Sequence, residues 1–308
     1  MVTVPDPDHR PAIDTALVRR LVDTQFPHWA GLPLKLIDPA GSDHVIHRLG
    51  EELSVRLPRH TGAIGQAEKE RYWLPRLAPR LPLAVPVPVT VGRPALGYPW
   101  PWAVTRWLDG EVATVGKLGD SSEAARELAE FLSALQSFAP DADADADADA
   151  GEGEGADGSA AGLAGLAGRD GSTRAAIAAV ADVFDAPALT ALWDAALSCP
   201  GHQGPPVWCH GDFHTGNLLT VDGRLGAVID FGNFGPGDPA VDLMIAFTLM
   251  SAETRAVFRG ALGVDDATWL RGRGWALTTG LSAYTAYAAT SPRIAEQTSR
   301  QIRAALAG

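Results

Sequence analysis

The sequence predicts an α+β protein in two lobes, a β-rich N-terminal lobe over residues 1–108 and a mainly helical C-terminal lobe over residues 109–308. Three observations predict it. Short apolar runs broken by turn formers dominate the first hundred residues; from Thr173 onward the pattern is helical except for one window, Val207 to Asp230; and an extended apolar run, Trp100 to Leu108, joins the halves. A length of 308 residues suits roughly two domains, and 46% hydrophobic residues suffice for a sizeable core.

The elements follow in order. Ile13 to Thr24 places Leu17, Val18 and Leu21 at helical spacing, with Asp14 in the first turn. Three strands come next: Leu34 to Ile37 stops at Pro39-Ala40-Gly41, His44 to Leu49 at Gly50, and Leu53 to Leu57 at Pro58, with breaks short enough for antiparallel hairpins. Ala67 to Leu77 turns helical through Glu70, Trp73, Leu74 and Leu77, and Pro75 is expected to kink or shorten it. LPLAVPVPVTVG is Pro-rich yet β-branched, which suits an edge strand. A helix from about Ser122 to Phe138 is capped by Ser121 or Ser122. Beyond the window at Val207, helices are expected around Ala240 to Met250, Thr254 to Leu262, Asp266 to Ala289 and Ile294 to Leu306.

Residues 139–171 interrupt this order with an acidic low-complexity insertion, expected to be a solvated, disordered loop because alternating Asp and Ala offer no apolar face. Residues 141–157 hold eight acids and no base, so removing them from the net charge of −12 leaves −4 for the rest. With no basic stripe, nucleic acid is excluded as a partner. No apolar run approaches the roughly 18 residues that cross a bilayer, and no signal peptide is legible. Cys199 and Cys209 match no zinc or redox spacing, so a reduced, cytoplasmic protein is the expectation.

Chemistry concentrates in HGDFHTGNLL and the VIDFG that follows it. The turn Asp222-Gly223 between apolar runs marks a hairpin, which brings the loop of Asp212 beside the loop of Asp230. Asn217 and Asp230 supply the hard oxygens that magnesium prefers, and Asp212, five residues before Asn217, is placed to accept a proton from a hydroxyl. A lone His-Gly-Asp would be a capped turn, and Asp-Phe-Gly alone occurs by chance. Together, with Asp212 and Asp230 eighteen residues apart, they match the kinase template of catalytic-loop Asp, metal-binding Asn and D-F-G Asp.

On these residues the sequence resembles the aminoglycoside phosphotransferase family, small-molecule kinases with a protein-kinase-like fold. The catalytic loop His-x-Asp-x-x-x-x-Asn falls on His210, Asp212 and Asn217, with the metal-binding Asp at Asp230; GDPAVDL, SVRLPR, KERYWLPRLAPRLPL and TRWLDGE extend the likeness. The resemblance implies transfer of the γ-phosphoryl of ATP or GTP, with Mg2+, onto a small hydroxylated substrate such as an aminoglycoside or macrolide. It places the nucleotide phosphates under the turn at Gly41 and Ser42 and beside Arg56, which stands where protein kinases carry a Lys, paired with Glu70. The nucleobase is expected against Arg106, Trp107 and Leu108. His210 is read as a hydrogen-bonding scaffold of the catalytic loop, Asp242 as an anchor for loop amides, Asp238 as a helix cap and His214 as a loop residue near substrate. A metabolic kinase of choline, homoserine or ketosamine type would share this machinery. A nucleotide-binding pseudokinase is the reading of another class, against which the full set of Asp212, Asn217 and Asp230 argues.

Overall fold

The computed structural model describes residues 12–37, 43–138 and 165–308. Asp14 caps helix α1 (Thr15–Gln25), its Oδ1 accepting from the Leu17 amide at 2.7 Å. The stripe Leu17, Val18, Leu21 and Val22 is buried against a five-stranded antiparallel sheet. Its strands are β1 (Leu34–Leu36), β2 (His44–Leu49), β3 (Leu53–Pro58), β4 (Pro88–Gly92) and β5 (Trp102–Arg106), in the order β1-β2-β3-β5-β4. Leu49, Val55, Leu57, Trp102 and Val104 complete this core. The Pro-rich strand β4 lies at the edge, where a missing N–H costs no ladder bond.

Helix α2 (Gln66–Leu77) runs only two residues past Pro75, which cannot donate to the Arg71 carbonyl one turn earlier. It follows β3 in sequence, yet its Leu74 and Leu77 pack into the larger, C-terminal core, and its Trp73 lies 4.5 Å from Trp208. The helix also packs across β4 and β5 of the sheet, so it bridges the two cores.

The second lobe holds the short helix α3 (Val115–Leu118), then α4 (Ser122–Gln136), capped by Ser121. Next come α5 (Asp170–Ala179), α6 (Ala186–Ser198), α7 (Met244–Thr248), α8 (Ala252–Leu262), α9 (Asp266–Tyr287) and α10 (Pro292–Ala307). Residues 165–171, counted within the insertion on sequence, are instead folded: Leu166–Arg169 form a 3-10 turn and Asp170 opens α5. Buried Leu166 and the bond from Trp193 Nε1 to Asp170 Oδ1 at 2.7 Å fix them. The rest of the insertion, residues 139–164, lies outside the described residues. The helix expected over Ala240 to Met250 is split into a 3-10 turn, Pro239–Leu243, and α7. Among the described residues no helix is long and apolar enough to cross a membrane.

Two small sheets carry the loops of interest. Strand β6 (Glu111–Val112) pairs with β8 (Leu218–Val221), which pairs with β9 (Arg224–Val228); β7 (Val207–Cys209) pairs with β10 (Gly235–Gly237). The loop between β7 and β8 is pinned by Phe213, fully buried and stacked on Phe131 of α4 at 5.6 Å and 6°. Truncating it leaves a ring-sized void beneath the loop. Phe213→Ala is expected to lower stability by about 3–5 kcal/mol in chemical denaturation; an unchanged midpoint would show that the loop is held elsewhere.

Candidate active site

Strand β7 delivers His210 into a loop held from below by one carboxylate. Asp242, fully buried in the 3-10 turn Pro239–Leu243, accepts from the amides of His210 at 2.8 Å and Gly211 at 2.9 Å. Gly211 takes φ +81°, and a β-carbon there would lie 2.6 Å from the Asn233 carbonyl, so no other residue fits this corner. Burial pushes the Asp242 carboxyl up to about 7, against the pull of the two amides.

His210 is fully buried, and both its ring nitrogens are engaged. The Asp212 amide points at Nδ1 at 3.2 Å, which makes Nδ1 the acceptor, so Nε2–H donates to the Ile229 carbonyl at 3.0 Å. Burial holds its pKa below the ordinary imidazole value, as this neutral tautomer requires. No ring nitrogen is left for a substrate; the residue bridges the two loops.

Asp212 and Asn217 meet directly. Asn217 Nδ2 donates to the Asp212 carbonyl at 2.9 Å and to its Oδ2 at 3.1 Å. With its nitrogen so committed, the amide presents its oxygen away from Asp212. His214 Nδ1 accepts from the Gly216 amide at 3.0 Å, and its Nε2 lies 3.5 Å from Asp212 Oδ2. Burial pushes the Asp212 carboxyl up, but His214, His210 and Asn217 more than offset it, and the group stays ionised below the ordinary carboxylate range. Burial likewise opposes a charge on His214, and Asp212 reverses the sign, raising its pKa.

The hairpin brings Asp230 to the same place. Leu218 pairs with Val228, and the Ile229 amide donates to the Asn217 carbonyl at 2.9 Å, so Asn217 and Asp230 flank the open end of one hairpin. Asp230 sits at φ +65° with its side chain 44% exposed, accessible to a ligand. Arg56 of β3 reaches it at 3.7 Å through Nη2, while Nη1 donates to Glu70 Oε2 of α2 at 2.7 Å. Burial works against the Arg56 charge, but Glu70 and Asp230 override it and keep the guanidinium protonated. The Glu70 partnership expected on sequence is thus present, and Glu68 is exposed.

At the lobe junction the side chains of Arg106 and Trp107 turn outward, Arg106 to Glu52 at 3.3 Å and Trp107 between Asp109 and the Arg48 guanidinium. The Trp107 amide donates to the Glu52 carbonyl, whereas the Leu108 amide has no backbone partner among the described residues. Gly41 and Ser42 lie outside the described residues. Asp238 caps the 3-10 turn through the Ala240 amide and also receives Arg271 at 2.7 Å. Trp269 and Trp275 are core residues, and Glu111 pairs with Lys117 at the surface.

Sequence reasoning missed Gln66 and Lys69. Lys69 Nζ donates to the carbonyls of Gly232 at 2.9 Å and Phe234 at 2.7 Å, and burial lowers its pKa to about 8. Their spacing to Glu70, four residues and one, places all three on one side of α2, which was the available signal. Among the described residues no group of three His, Cys, Asp or Glu side chains gathers as a metal cage. Asn217 and Asp230 offer a partial set of hard oxygens, the kind that nucleotide phosphates complete for magnesium.

A β-sheet lobe over a helical lobe, with an Asp-Asn-Asp cluster and a buried Arg–Glu pair at their junction, defines a protein-kinase-like phosphotransferase. The sequence matches the phosphotransferase enzyme family (APH) over residues 36–276, and the chain belongs to that family. It is a kinase-type enzyme acting on hydroxyl groups. The fold is similar to the GDP and kanamycin complex of APH(2")-IIia, at 19% identity, covering 94% of this chain and 97% of that one, with a TM-score of 0.68. It is similar to the macrolide 2'-phosphotransferase MphH from Brachybacterium faecium at 25% identity, 93% and 97% coverage and a TM-score of 0.57. The streptomycin-ATP-APH(2")-IIa ternary complex matches at 16% identity, 94% and 99% coverage and 0.60. No curated protein matches the chain significantly.

The Asp242 carboxyl titrates near 7 in the folded chain and near 3.8 when unfolded, so the folded state binds the extra proton between these values. Its contribution to stability is full below the lower value and is lost as pH rises through the upper one. The stability gap between wild type and Asp242→Asn should therefore narrow from about pH 4 to about pH 7 and level off above that. Denaturation at a series of pH values measures it; a gap that stays constant would show a carboxylate ionised throughout.

Proposed function

We propose that this chain transfers the γ-phosphoryl group of ATP or GTP to a hydroxyl of an antibiotic of aminoglycoside or macrolide type. One observation carries the reading: Asn217 is tied by its side chain to Asp212 and by its carbonyl to the residue before Asp230, gathering all three at one hairpin end. The solved relatives hold GDP with kanamycin and ATP with streptomycin, and MphH is a macrolide enzyme, which supports the substrate class.

In this reading Asp212 is the general base. Its carboxylate, ionised at neutral pH, accepts the proton of the acceptor hydroxyl as that oxygen attacks the γ-phosphorus. The bond from the γ-phosphorus to the bridging oxygen breaks, and the nucleoside diphosphate leaves with both bridging electrons. Asn217 Oδ1 and the Asp230 carboxylate would hold magnesium, which when bound neutralises charge on the phosphate oxygens. Asn217 also orients the base through its two bonds to Asp212. Arg56, kept charged by Glu70, takes the place of the strand-three cation against the phosphates, with a forked donor in place of an ammonium. The free Leu108 amide is the donor offered to the nucleobase.

Purified protein with Mg-ATP or Mg-GTP should phosphorylate at least one member of a panel of aminoglycosides and macrolides, read by mass spectrometry. Asp212→Asn should lower kcat by about 10² to 10⁴-fold while nucleotide affinity stays near the wild-type value. Unchanged turnover would remove Asp212 from the mechanism.

A further inference from the structure

Helix α2 meets the Asp-Phe-Gly segment through more than the Arg56–Glu70 pair. Lys69 Nζ is shared between the Gly232 and Phe234 carbonyls, at 2.9 and 2.7 Å, across more than 160 residues of chain. Beside it Gln66 covers Gly232, where a β-carbon would lie 2.7 Å from the Gln66 amide oxygen. The turn they grip is tight, with the Phe234 amide donating to the Phe231 carbonyl at 3.1 Å. Its other side is packed: Phe234 stacks on Trp208 at 4.4 Å and 7°, and Phe231 lies 4.7 Å from His210.

Immediately before this turn stands Asp230, a non-glycine residue in the left-handed region at φ +65°. That conformation costs energy for any residue with a β-carbon and persists only where its surroundings over-determine it. Aromatic packing fixes the turn from below. From above, the polar bonds to its peptide groups come from Lys69, whose ammonium gives two of its three N–H donors to those carbonyls.

We infer that Lys69 is a positioning residue for the phosphoryl transfer: by clamping the Gly232 and Phe234 carbonyls it holds Asp230 in the backbone conformation that aims its carboxylate at the metal shared with Asn217. A residue on the first large helix thereby sets the geometry of a ligand on the hairpin. Without the clamp, two carbonyls lose their donor and Asp230 relaxes toward extended backbone. The inference rests on the reading of Asp230 as a metal ligand.

The test uses the full chain with ADP and follows Mn2+ binding by its electron paramagnetic resonance signal, alongside kcat and melting temperature. Lys69→Met should weaken Mn2+ binding and lower kcat by about 10- to 100-fold, as outer-shell partners of metal sites do. ADP affinity without metal should stay within about twofold, since the clamp does not touch nucleotide. Lys69→Arg, whose guanidinium also spans two acceptors, should recover most of the Mn2+ affinity. Wild-type Mn2+ binding in Lys69→Met, or equal losses in Met and Arg variants that track melting temperature alone, would overturn the inference. If Lys69→Met fails to fold, Lys69→Gln, which keeps one donor of shorter reach, is read against the same criteria. Asp230→Asn in the same assay separates the two readings, because retained Mn2+ binding there refutes the ligand assignment itself.

Discussion

The meeting of Asp212, Asn217 and Asp230 depends on the register of one hairpin. Asp222 and Gly223, at φ +51° and +79°, close the two-residue turn between Val221 and Arg224. From there the pairing runs back to Leu218 and Val228, with one irregularity opposite Thr220 that leaves Gly226 as the extra residue. The Gly226 carbonyl accepts from the Ala84 amide at 3.1 Å, and the Ala84 carbonyl accepts from Val228 at 2.9 Å, so the displaced backbone is satisfied by the segment leading into β4. A slip of one residue would send the side chain of every following position to the opposite face, and Asn217 and Asp230 would no longer meet.

The electrostatics follow from burial around this hairpin. Two carboxylates near each other, Asp212 and Asp242, are driven in opposite directions by what surrounds them. Asp212 has histidines and an amide to hold its charge, whereas Asp242 has two backbone amides and no cation, and its pKa rises. The pattern separates a group suited to accept a proton from one suited to hold a loop. His210 joins them: its amide is bound by Asp242, its Nδ1 receives the Asp212 amide, and its Nε2–H ends on the Ile229 carbonyl.

Much of this was legible before any coordinates. The strands and helices of the first lobe carry strong periodicity and clear stops, and most are present within a residue or two, whereas the edge strand expected over LPLAVPVPVTVG is confined to Pro88–Gly92. HGDFHTGN and DFG marked the candidate site because spacing and residue type agree with one mechanism, and the structure brings Asp212, Asn217 and Asp230 to one hairpin end. Other features had no local signal. Strand β10 is Gly-Pro-Gly, a sequence without β propensity that becomes a strand only by pairing with β7. The folded start of α5 was hidden by the low-complexity run beside it, although Leu166 is an apolar residue that a solvated loop does not need. Lys69 carried no signal of its own, since a Lys next to a Glu on a helix is usually surface charge; only the long-range approach of the Gly232 and Phe234 carbonyls sets it apart.

The division of the two cores has a mechanical consequence. Arg56 belongs to the sheet and Glu70 to α2, which packs across β4 and β5 and sends Leu74 and Leu77 into the second core, so their ion pair ties the helix to the sheet beside the boundary of the two cores. Prising the sheet away to admit or release a ligand would strand Glu70, nearly inaccessible to water, without its counter-charge. Sheet and helix are therefore coupled through this pair, and a displacement of one relative to Asp230 carries the other with it.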